Sequence, residues 1–168
     1  TGGEILARHD LWDIAQAARD RHFALRLFTN GTKVTPEIAG RFAALAPLSV
    51  EVSLYGATAT THDRVTDRPG SFERTLAGIR NLRAAFDVPI ACEPRHASWF
   101  EPKVDAFWER FDVARVAADP PIAVDQDTPG HAGRWRYFRL HGAPRMYYSA
   151  YDDARLATLA TALLEHDR

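Results

Sequence analysis

The sequence predicts an α/β fold with a parallel sheet. Five β-prone runs and five helical patterns alternate along the chain, and the short joints between them are rich in glycine, proline and asparagine. Polar residues collect where the strand-like runs end, which is the edge at which parallel sheets bind ligands. Five units are fewer than the eight of a closed (β/α)8 barrel, so the pattern is consistent with either an open twisted sheet or an incomplete barrel.

Three helices and two strands are predicted in the first half of the chain. In order they are a helix over 11–22, a strand over 23–30, a helix over 36–46, a strand over 48–56 and a helix over 72–86. Apolar residues at spacings of three and four indicate each helix. Asn30-Gly31 is a turn signal that ends the first strand. Thr35-Pro36 has the residue types of an N-cap and a first helical residue, and Ser71 is the predicted N-cap of the third helix.

The second half contains three predicted strands and two helices. In order they are a strand over 88–94, a helix over 101–112, a strand over 113–121, a strand over 136–143 and a helix over 154–166. The polar loop over 122–135 has a length at which loops are often functional or mobile. Ser149 and Asp152 have the S-x-x-[DE] spacing of a capping box before the last helix.

Composition indicates a single globular domain. The chain has 168 residues, 46% hydrophobic and 26% charged, which suffices for one sizeable core. A net charge of −1 gives no general attraction for nucleic acid or an acidic membrane, and no apolar run approaches the roughly 20 residues that span a bilayer. The single cysteine, Cys92, excludes an internal disulfide and a metal site built from several cysteines of this sequence. We expect a cytoplasmic protein.

Polar and ionisable side chains follow each predicted strand. They are Thr29 and Asn30, then Ser53 and Tyr55, then Glu93, Arg95 and His96, then Asp119, and finally Arg139 and His141. Strand ends meet water in every sheet, so a plain structural explanation exists for each of them. Five strand ends in succession favour a ligand-binding rim.

Glu93, Arg95 and His96 form the most suggestive cluster. Alternation along a strand places Glu93 and Arg95 on one side, where the arginine either pairs with the carboxylate or clamps an anion. His96 is then a candidate acid–base group, and Arg139 with His141 repeats the pattern. Two histidines and an aspartate also leave a metal site open, although their spacing is not diagnostic of one.

Several other residues are expected to have structural roles. The aromatic side chains within 99–111 are expected to fill the core between helix and sheet. Tyr147, Tyr148 and Tyr151 either line the site or, as we favour, pack a loop. Cys92 is expected to be a small buried thiol. The histidines outside the strand ends are expected at the surface: His9, His22, His62 and His166.

The first half carries a characteristic order of motifs. They are "TGGE", "LRLFTNGT", "VEVSLYGATATTHDRVT" and "PGSFERTLAGIRNLR", all within residues 1–85. This order resembles the middle of radical S-adenosylmethionine enzymes, especially the peptide-modifying branch. In that family a Gly-Gly-Glu turn holds the amino group of S-adenosylmethionine. The resemblance therefore implies cofactor binding by Gly2, Gly3, Glu4, Ser53 and either Arg64 or Arg68.

The first half also departs from that family. Ile5 stands where the family usually has proline after the glutamate. The family holds a [4Fe–4S] cluster through a C-x3-C-x2-C loop, which we expect upstream of Thr1, and Cys92 cannot replace three thiolates. The resemblance thus implies weak affinity for S-adenosylmethionine and no radical chemistry by these residues alone.

The second half carries different motifs, within residues 88–168. The strings "IACEPRHASWFEP", "VARVAADPP" and "WRYFRLHGAPRMYYSAYDDARLATLA" resemble the second half of the YecE-like family (domain of unknown function 72), a barrel-type family. The polar positions implied by this resemblance are Glu93, Arg95, His96, Trp99, Asp119, Arg139, His141 and Tyr151.

Together the two resemblances predict a partial TIM-type (β/α) barrel assembled from two fragments, 1–86 and 87–168, joined between Leu82 and Ile90. Three functions remain open. The chain is a radical-enzyme fragment that binds S-adenosylmethionine weakly, a YecE-like module that binds an anionic small molecule or nucleic acid, or a scaffold with two relic half-sites. Open sheet edges predict a homo-oligomer or a tendency to aggregate.

Overall fold

The computed structural model describes residues 3–122, 126–128 and 135–164. The chain forms two compact units, Thr1–Val88 and Pro89–Arg168, which we call the first and the second unit. Each unit combines helices with parallel strand pairs, so the mixed α/β class is confirmed. Within the described ranges, no helix has the length and apolar character required to cross a membrane.

The first unit contains four helices and one pair of parallel strands. They are α1 Leu11–Asp20, β1 Arg26–Thr29, α2 Pro36–Ala44, β2 Ser49–Val52, α3 Ala59–Thr66 and α4 Ser71–Ala85, preceded by a 3-10 turn at Ile5–Ala7. β1 and β2 pair in parallel with Leu27 opposite Val50. The buried core joins one face of β1 to α1, α2 and α4 through Leu11, Leu27, Val34, Ala39, Phe42 and Leu82.

Helix α3 was not predicted from the sequence. It begins after Thr58, whose side chain accepts a hydrogen bond from the backbone N–H of Thr61 at 3.4 Å. Its one large aliphatic side chain, Val65, is exposed, and its one buried residue is His62. The segment therefore lacks the apolar periodicity by which helices are recognised in a sequence.

The first turns of α2 and α4 are capped in different ways. Thr35 caps α2 by accepting from the N–H of Ile38 at 3.2 Å, as predicted. The prediction that Ser71 caps α4 is wrong, because the N-cap position is Gly70 with φ +75° and Ser71 is the first helical residue. The missing cap is supplied by Asp63 from α3. Its carboxylate accepts from the N–H of Gly70 at 2.5 Å, the hydroxyl of Ser71 at 2.9 Å and the N–H of Phe72 at 2.8 Å.

Two glycines bring α4 against the loop that follows β1. Gly31 has φ +77°, and a Cβ added to Gly78 would overlap the carbonyl oxygen of Gly31. The hydroxyl of Thr75 donates to the carbonyl of Asn30 at 2.9 Å. The loop after β1 is therefore fixed by direct backbone contact with a helix.

The described residues of the second unit form two helices and four short strands. They are β3 Ile90–Cys92, α5 Asp105–Phe111, β4 Val113–Arg115, β5 Ala117–Asp119, β6 Phe138–Leu140 and α6 Asp153–Leu164, with 3-10 turns at Ala97–Phe100 and Pro102–Val104. β3 pairs with β4 and β5 pairs with β6, both in parallel. The six strands of the described residues form three two-stranded sheets, so the predicted partial barrel is not confirmed.

The strand predicted over 113–121 is divided at Val116. The N–H of Val116 donates to the carbonyl of Cys92 at 2.9 Å, and the N–H of Ala117 donates to that of Tyr137 at 2.9 Å. The run thus exchanges its hydrogen-bonding partner from β3 to β6 over one residue. Apart from Arg115 the run is apolar before Asp119, and its sequence carries no sign of this exchange.

Helix α6 is capped by Asp152 alone. Its carboxylate accepts from the N–H of Arg155 at 2.8 Å. The predicted capping role of Ser149 is wrong, because the Ser149 hydroxyl accepts from the N–H of Arg145 at 2.9 Å within the preceding loop.

We expect Gly78→Ala to lower the free energy of unfolding. Alanine has the better helix propensity by about 1 kcal/mol, but its Cβ would collide with the Gly31 carbonyl oxygen. The matched control is Gly40→Ala in α2, where an added Cβ meets nothing within 4 Å. That variant should gain about 0.5–1 kcal/mol. Urea unfolding measures both, and equal stabilisation by the two substitutions would contradict the contact.

We expect Asp63→Ala to lower the melting temperature in a pH-dependent way. Hydrogen bonds, the one from the Phe72 N–H foremost, hold the pKa of the Asp63 carboxyl below its ordinary value. A carboxyl with a depressed pKa stabilises the fold above its unfolded pKa of about 3.9, and this stabilisation is lost on further acidification. The gap between wild type and variant should therefore be full at pH 6 and shrink below about pH 4. Melting curves from pH 3 to 7 measure it, with the exposed Asp87→Ala as control.

Candidate functional site

The Glu4 carboxylate ties the N-terminal turn to the end of β1. Its Oε1 accepts from the N–H of Leu6 at 3.1 Å and from the hydroxyl of Thr29 at 2.7 Å, and its Oε2 accepts from the N–H of Asn30 at 2.7 Å. The buried Thr29 hydroxyl also accepts from the N–H of Gly31 at 3.1 Å. One side chain therefore joins two distant segments into a polar network.

The other residues predicted to bind S-adenosylmethionine differ in where they lie relative to Glu4. Gly3 has φ +146°, a backbone conformation that suits glycine, and open space surrounds its missing Cβ. Ser53 follows β2, is exposed, and its N–H donates to the carbonyl of Thr29 at 3.3 Å. Glu4 and Ser53 thus both bond to Thr29. Gly2 lies outside the described residues, and Arg64 lies exposed in the last turn of α3.

In the second unit, Glu93 pairs with two arginines. It follows β3, and its Oε1 lies 2.7 Å from Nη2 of Arg95 while its Oε2 accepts from Nη1 of Arg139 on β6. The ion pair between Glu93 and Arg95 is one of the two arrangements that strand alternation allowed. The Arg95 side chain is 66% exposed, whereas the glutamate is largely covered. Arg95 and Arg139 thus share one carboxylate.

His96 lies in the 3-10 turn that follows this cluster. Its Nδ1 accepts from the N–H of Ser98 at 3.3 Å and lies 2.9 Å from the Ser98 hydroxyl. The imidazole therefore caps the turn Ala97–Phe100.

Asp119 binds the ends of β5 and β6 to the segment before α6. It is only 2% exposed. Its Oδ1 accepts from the N–H of His141 at 2.5 Å and its Oδ2 from the hydroxyl of Tyr151 at 2.5 Å, while that hydroxyl accepts from the N–H of Gly142 at 2.6 Å. Burial, together with the Asp119 carboxylate, raises the pKa of Tyr151. Both oxygens of Asp119 are therefore engaged in holding the fold.

The metal alternative gains no support from the geometry. In the part of the chain that the structure describes, no three His, Cys, Asp or Glu side chains are grouped to hold a metal ion. His141 instead uses its backbone N–H to bind Asp119, and its ring packs edge-on against Tyr147 with centroids 5.3 Å apart.

Some side chains lie where the sequence did not predict them. His62, expected at the surface, is 1% exposed, with its ring between Tyr55 and Phe72 and its Nδ1 3.1 Å from the hydroxyl of Ser71. The burial of His62 was not predicted because helix α3, which carries it, was not predicted. His166 lies outside the described residues.

The aromatic residues of the second unit divide between core and surface. Trp108 is buried as expected, whereas Phe107 and Phe111 are about half exposed. Tyr147 and Tyr148, expected to pack a loop, are instead largely exposed, so that interpretation is wrong for both.

Comparison with known families matches residues 42–168 to the family described as "Protein of unknown function DUF72". The chain belongs to the DUF72 family. The match covers the second unit and also includes β2, α3 and α4 of the first. It therefore begins well before residue 88, where the sequence resemblance placed it.

The curated proteins to which this DUF72 chain is similar are named as synthases and maturases. The AdoMet-dependent heme synthase of Methanosarcina barkeri is 47% identical over 90 residues, which are 54% of this chain and 26% of that protein. The mycofactocin maturase MftC of Mycobacterium tuberculosis is 39% identical over 84 residues, 50% of this chain and 21% of that protein. The pre-heme d1 synthase of Dinoroseobacter shibae is 39% identical over 83 residues, 49% and 20%. The chain thus spans about a quarter or less of these relatives.

The two similarities overlap along the chain. Only residues 1–41 lie outside the DUF72 match, so more than half of the 90-residue similarity to the heme synthase falls inside it. A junction of two unrelated fragments near residue 87 is therefore not shown.

We expect Tyr151→Phe to destabilise the second unit. Loss of the hydroxyl leaves a buried Asp119 oxygen and the Gly142 N–H without their partner. The cost should be about 1–3 kcal/mol in the free energy of unfolding. The matched control is Tyr148→Phe, a 76% exposed tyrosine, which should change stability by less than about 0.5 kcal/mol. Similar unfolding curves for the two variants would contradict the role assigned to Tyr151.

Proposed function

We propose that the first unit binds S-adenosylmethionine (AdoMet) weakly at the end of β1 and β2. The observation that supports this proposal is the state of the Glu4 carboxylate. Three donors hold it in place, and a carboxylate has about four acceptor positions. One position remains for a donor from a ligand, and a ligand ammonium would form the stronger, charge-assisted type of hydrogen bond.

The surroundings of Glu4 fit such a ligand. Among the described residues outside its chain neighbours, no atom lies within 4 Å of a Cβ added at Gly3, so a ligand can approach the turn closely. The exposed hydroxyl of Ser53 lies at the same strand ends, linked to Glu4 through Thr29. Two similar proteins are both named AdoMet-dependent heme synthase, which agrees with this ligand class.

The proposal is confined to binding. AdoMet supplies radical chemistry only where an iron–sulfur cluster delivers an electron to it. That cluster needs several thiolates, and the printed sequence contains one cysteine, Cys92. The residues of this sequence therefore fit the ammonium end of AdoMet but do not fit the iron–sulfur cluster.

Calorimetric titration with AdoMet tests this proposal. Glu4→Gln retains an acceptor for Leu6 and Thr29 but removes the charge, so AdoMet affinity should fall by about tenfold, the factor expected for one charge-assisted hydrogen bond. 5′-Methylthioadenosine lacks the amino group and should bind equally to wild type and variant. Glu37→Gln, at an exposed position of α2, is the matched control. Absence of AdoMet binding, or equal affinity in Glu4→Gln, would exclude the proposal.

A second candidate function is anion binding by the second unit. It is supported by the two guanidinium groups at Glu93, of which that of Arg95 is exposed. The exposed Arg95 guanidinium has five N–H donors, and the carboxylate occupies only a few of them. A phosphate or carboxylate ligand would complete the remaining donors.

Opposite responses of two variants test the second candidate. Arg95→Gln should weaken phosphate binding, whereas Glu93→Gln should strengthen it, because the competing carboxylate charge is removed. Arg110→Gln on α5 is the control for a general loss of charge. If phosphate affinity is the same in all four proteins, the Glu93 cluster is purely structural.

A further inference from the structure

A loop between β6 and α6 presents two tyrosines to solvent. We call residues 141–151 the aromatic loop. Tyr147 and Tyr148 are 74% and 76% exposed. Neither residue takes part in the AdoMet proposal or in the Glu93 cluster. Exposed aromatic side chains of this size are frequent anchors for ligands.

The aromatic loop is held in place by its own hydrogen bonds. The N–H of Tyr147 donates to the carbonyl of His141 at 2.6 Å, and the N–H of Ser149 donates to that of Arg145 at 2.9 Å. The Ser149 hydroxyl closes the same turn by accepting from the N–H of Arg145 at 2.9 Å. The tyrosines are therefore carried on a fixed support, which lowers the entropic cost of binding.

The backbone of Tyr147 is strained. Its φ is +64°, in the left-handed region that bulky residues rarely adopt. Strain of this kind persists where the surroundings enforce it and is concentrated at binding sites. The Tyr147 ring meets the ring of His141 at 79°, and Tyr147 remains 74% exposed, so it is accessible to a planar ligand.

An arginine, Arg145, adjoins the tyrosines. The guanidinium of Arg145 lies over the ring of Tyr148, 4.2 Å from its centroid. Among the ion pairs of the described residues, none involves Arg145, whereas Arg95 pairs with Glu93 and Arg155 lies 3.6 Å from Asp127. Stacking orients the guanidinium and leaves its N–H donors available to an anion.

We propose that the aromatic loop binds a nucleoside monophosphate, with the base stacked on Tyr147 and the phosphate paired with Arg145. A bare anion would leave the ring of Tyr147 in water, and an uncharged aromatic ligand would leave the Arg145 guanidinium without a counter-charge. A nucleotide satisfies both groups. The net charge of −1 gives the chain no general attraction for a long polyanion, which favours a mononucleotide over a nucleic acid strand.

Titration of the full chain with three ligands tests the proposal. Adenosine 5′-monophosphate should bind at least about tenfold more tightly than adenosine, which lacks the phosphate, or ribose 5-phosphate, which lacks the base. Tyr147→Leu should lower the affinity for the monophosphate by about tenfold and leave that for ribose 5-phosphate unchanged. Arg145→Gln should reduce the monophosphate to the affinity of adenosine. Tyr55→Leu, an exposed tyrosine of the first unit, is the control.

A second variant separates binding from folding. Tyr147→Gly relieves the strain at φ +64° and removes the ring, so it should raise the melting temperature while weakening nucleotide binding. A purely structural tyrosine would not produce this opposite pair of effects. The proposal is overturned if the monophosphate binds no better than ribose 5-phosphate, if Tyr147→Leu has no effect, or if an eight-nucleotide single strand binds more than about tenfold tighter than the monophosphate.

Discussion

A carboxylate that is removed from water must be given hydrogen-bond donors, and this requirement organises both units of the chain. In the first unit Glu4 collects donors from the end of β1, and Asp63 collects the first N–H groups of α4. In the second unit Asp119 collects a backbone N–H and a tyrosine hydroxyl. Each of these carboxylates bonds to a segment other than its own, so each fixes the position of a loop at the end of a strand or the start of a helix.

The same requirement separates supporting residues from binding residues at the strand ends. Asp119 has both oxygens engaged, so it supports the fold. Glu4 keeps one acceptor position, and the exposed Arg95 keeps donors beyond those that the Glu93 carboxylate uses. A polar residue at a strand end is thus a candidate for ligand binding only if some of its donor or acceptor positions are not already used by hydrogen bonds within the protein.

Local patterns predicted much of the secondary structure but little of the site. Thr35-Pro36 marked a helix start because an N-cap bonds within its own first turn, and strand alternation allowed the pairing of Glu93 with Arg95. Contacts between distant segments have no comparable local sequence pattern from which they could be predicted. The donors to Asp119 come from 22 and 32 residues further along the chain, and α3 lacks an apolar stripe because its buried side chain is a histidine.

The exchange of partners at Val116 has a consequence for the alignment of the second unit. Residues 113–119 are shared by β3 on one side and β6 on the other, and Glu93 reaches Arg139 from the first of these strands to the second. Side chains along a strand alternate between faces, so a slip of β3 by a single residue would turn Glu93 away from Arg139. Strands of only three residues specify their alignment poorly by themselves. The ion pair between Glu93 and Arg139 specifies the alignment of these strands, because it forms in only one of the neighbouring alignments.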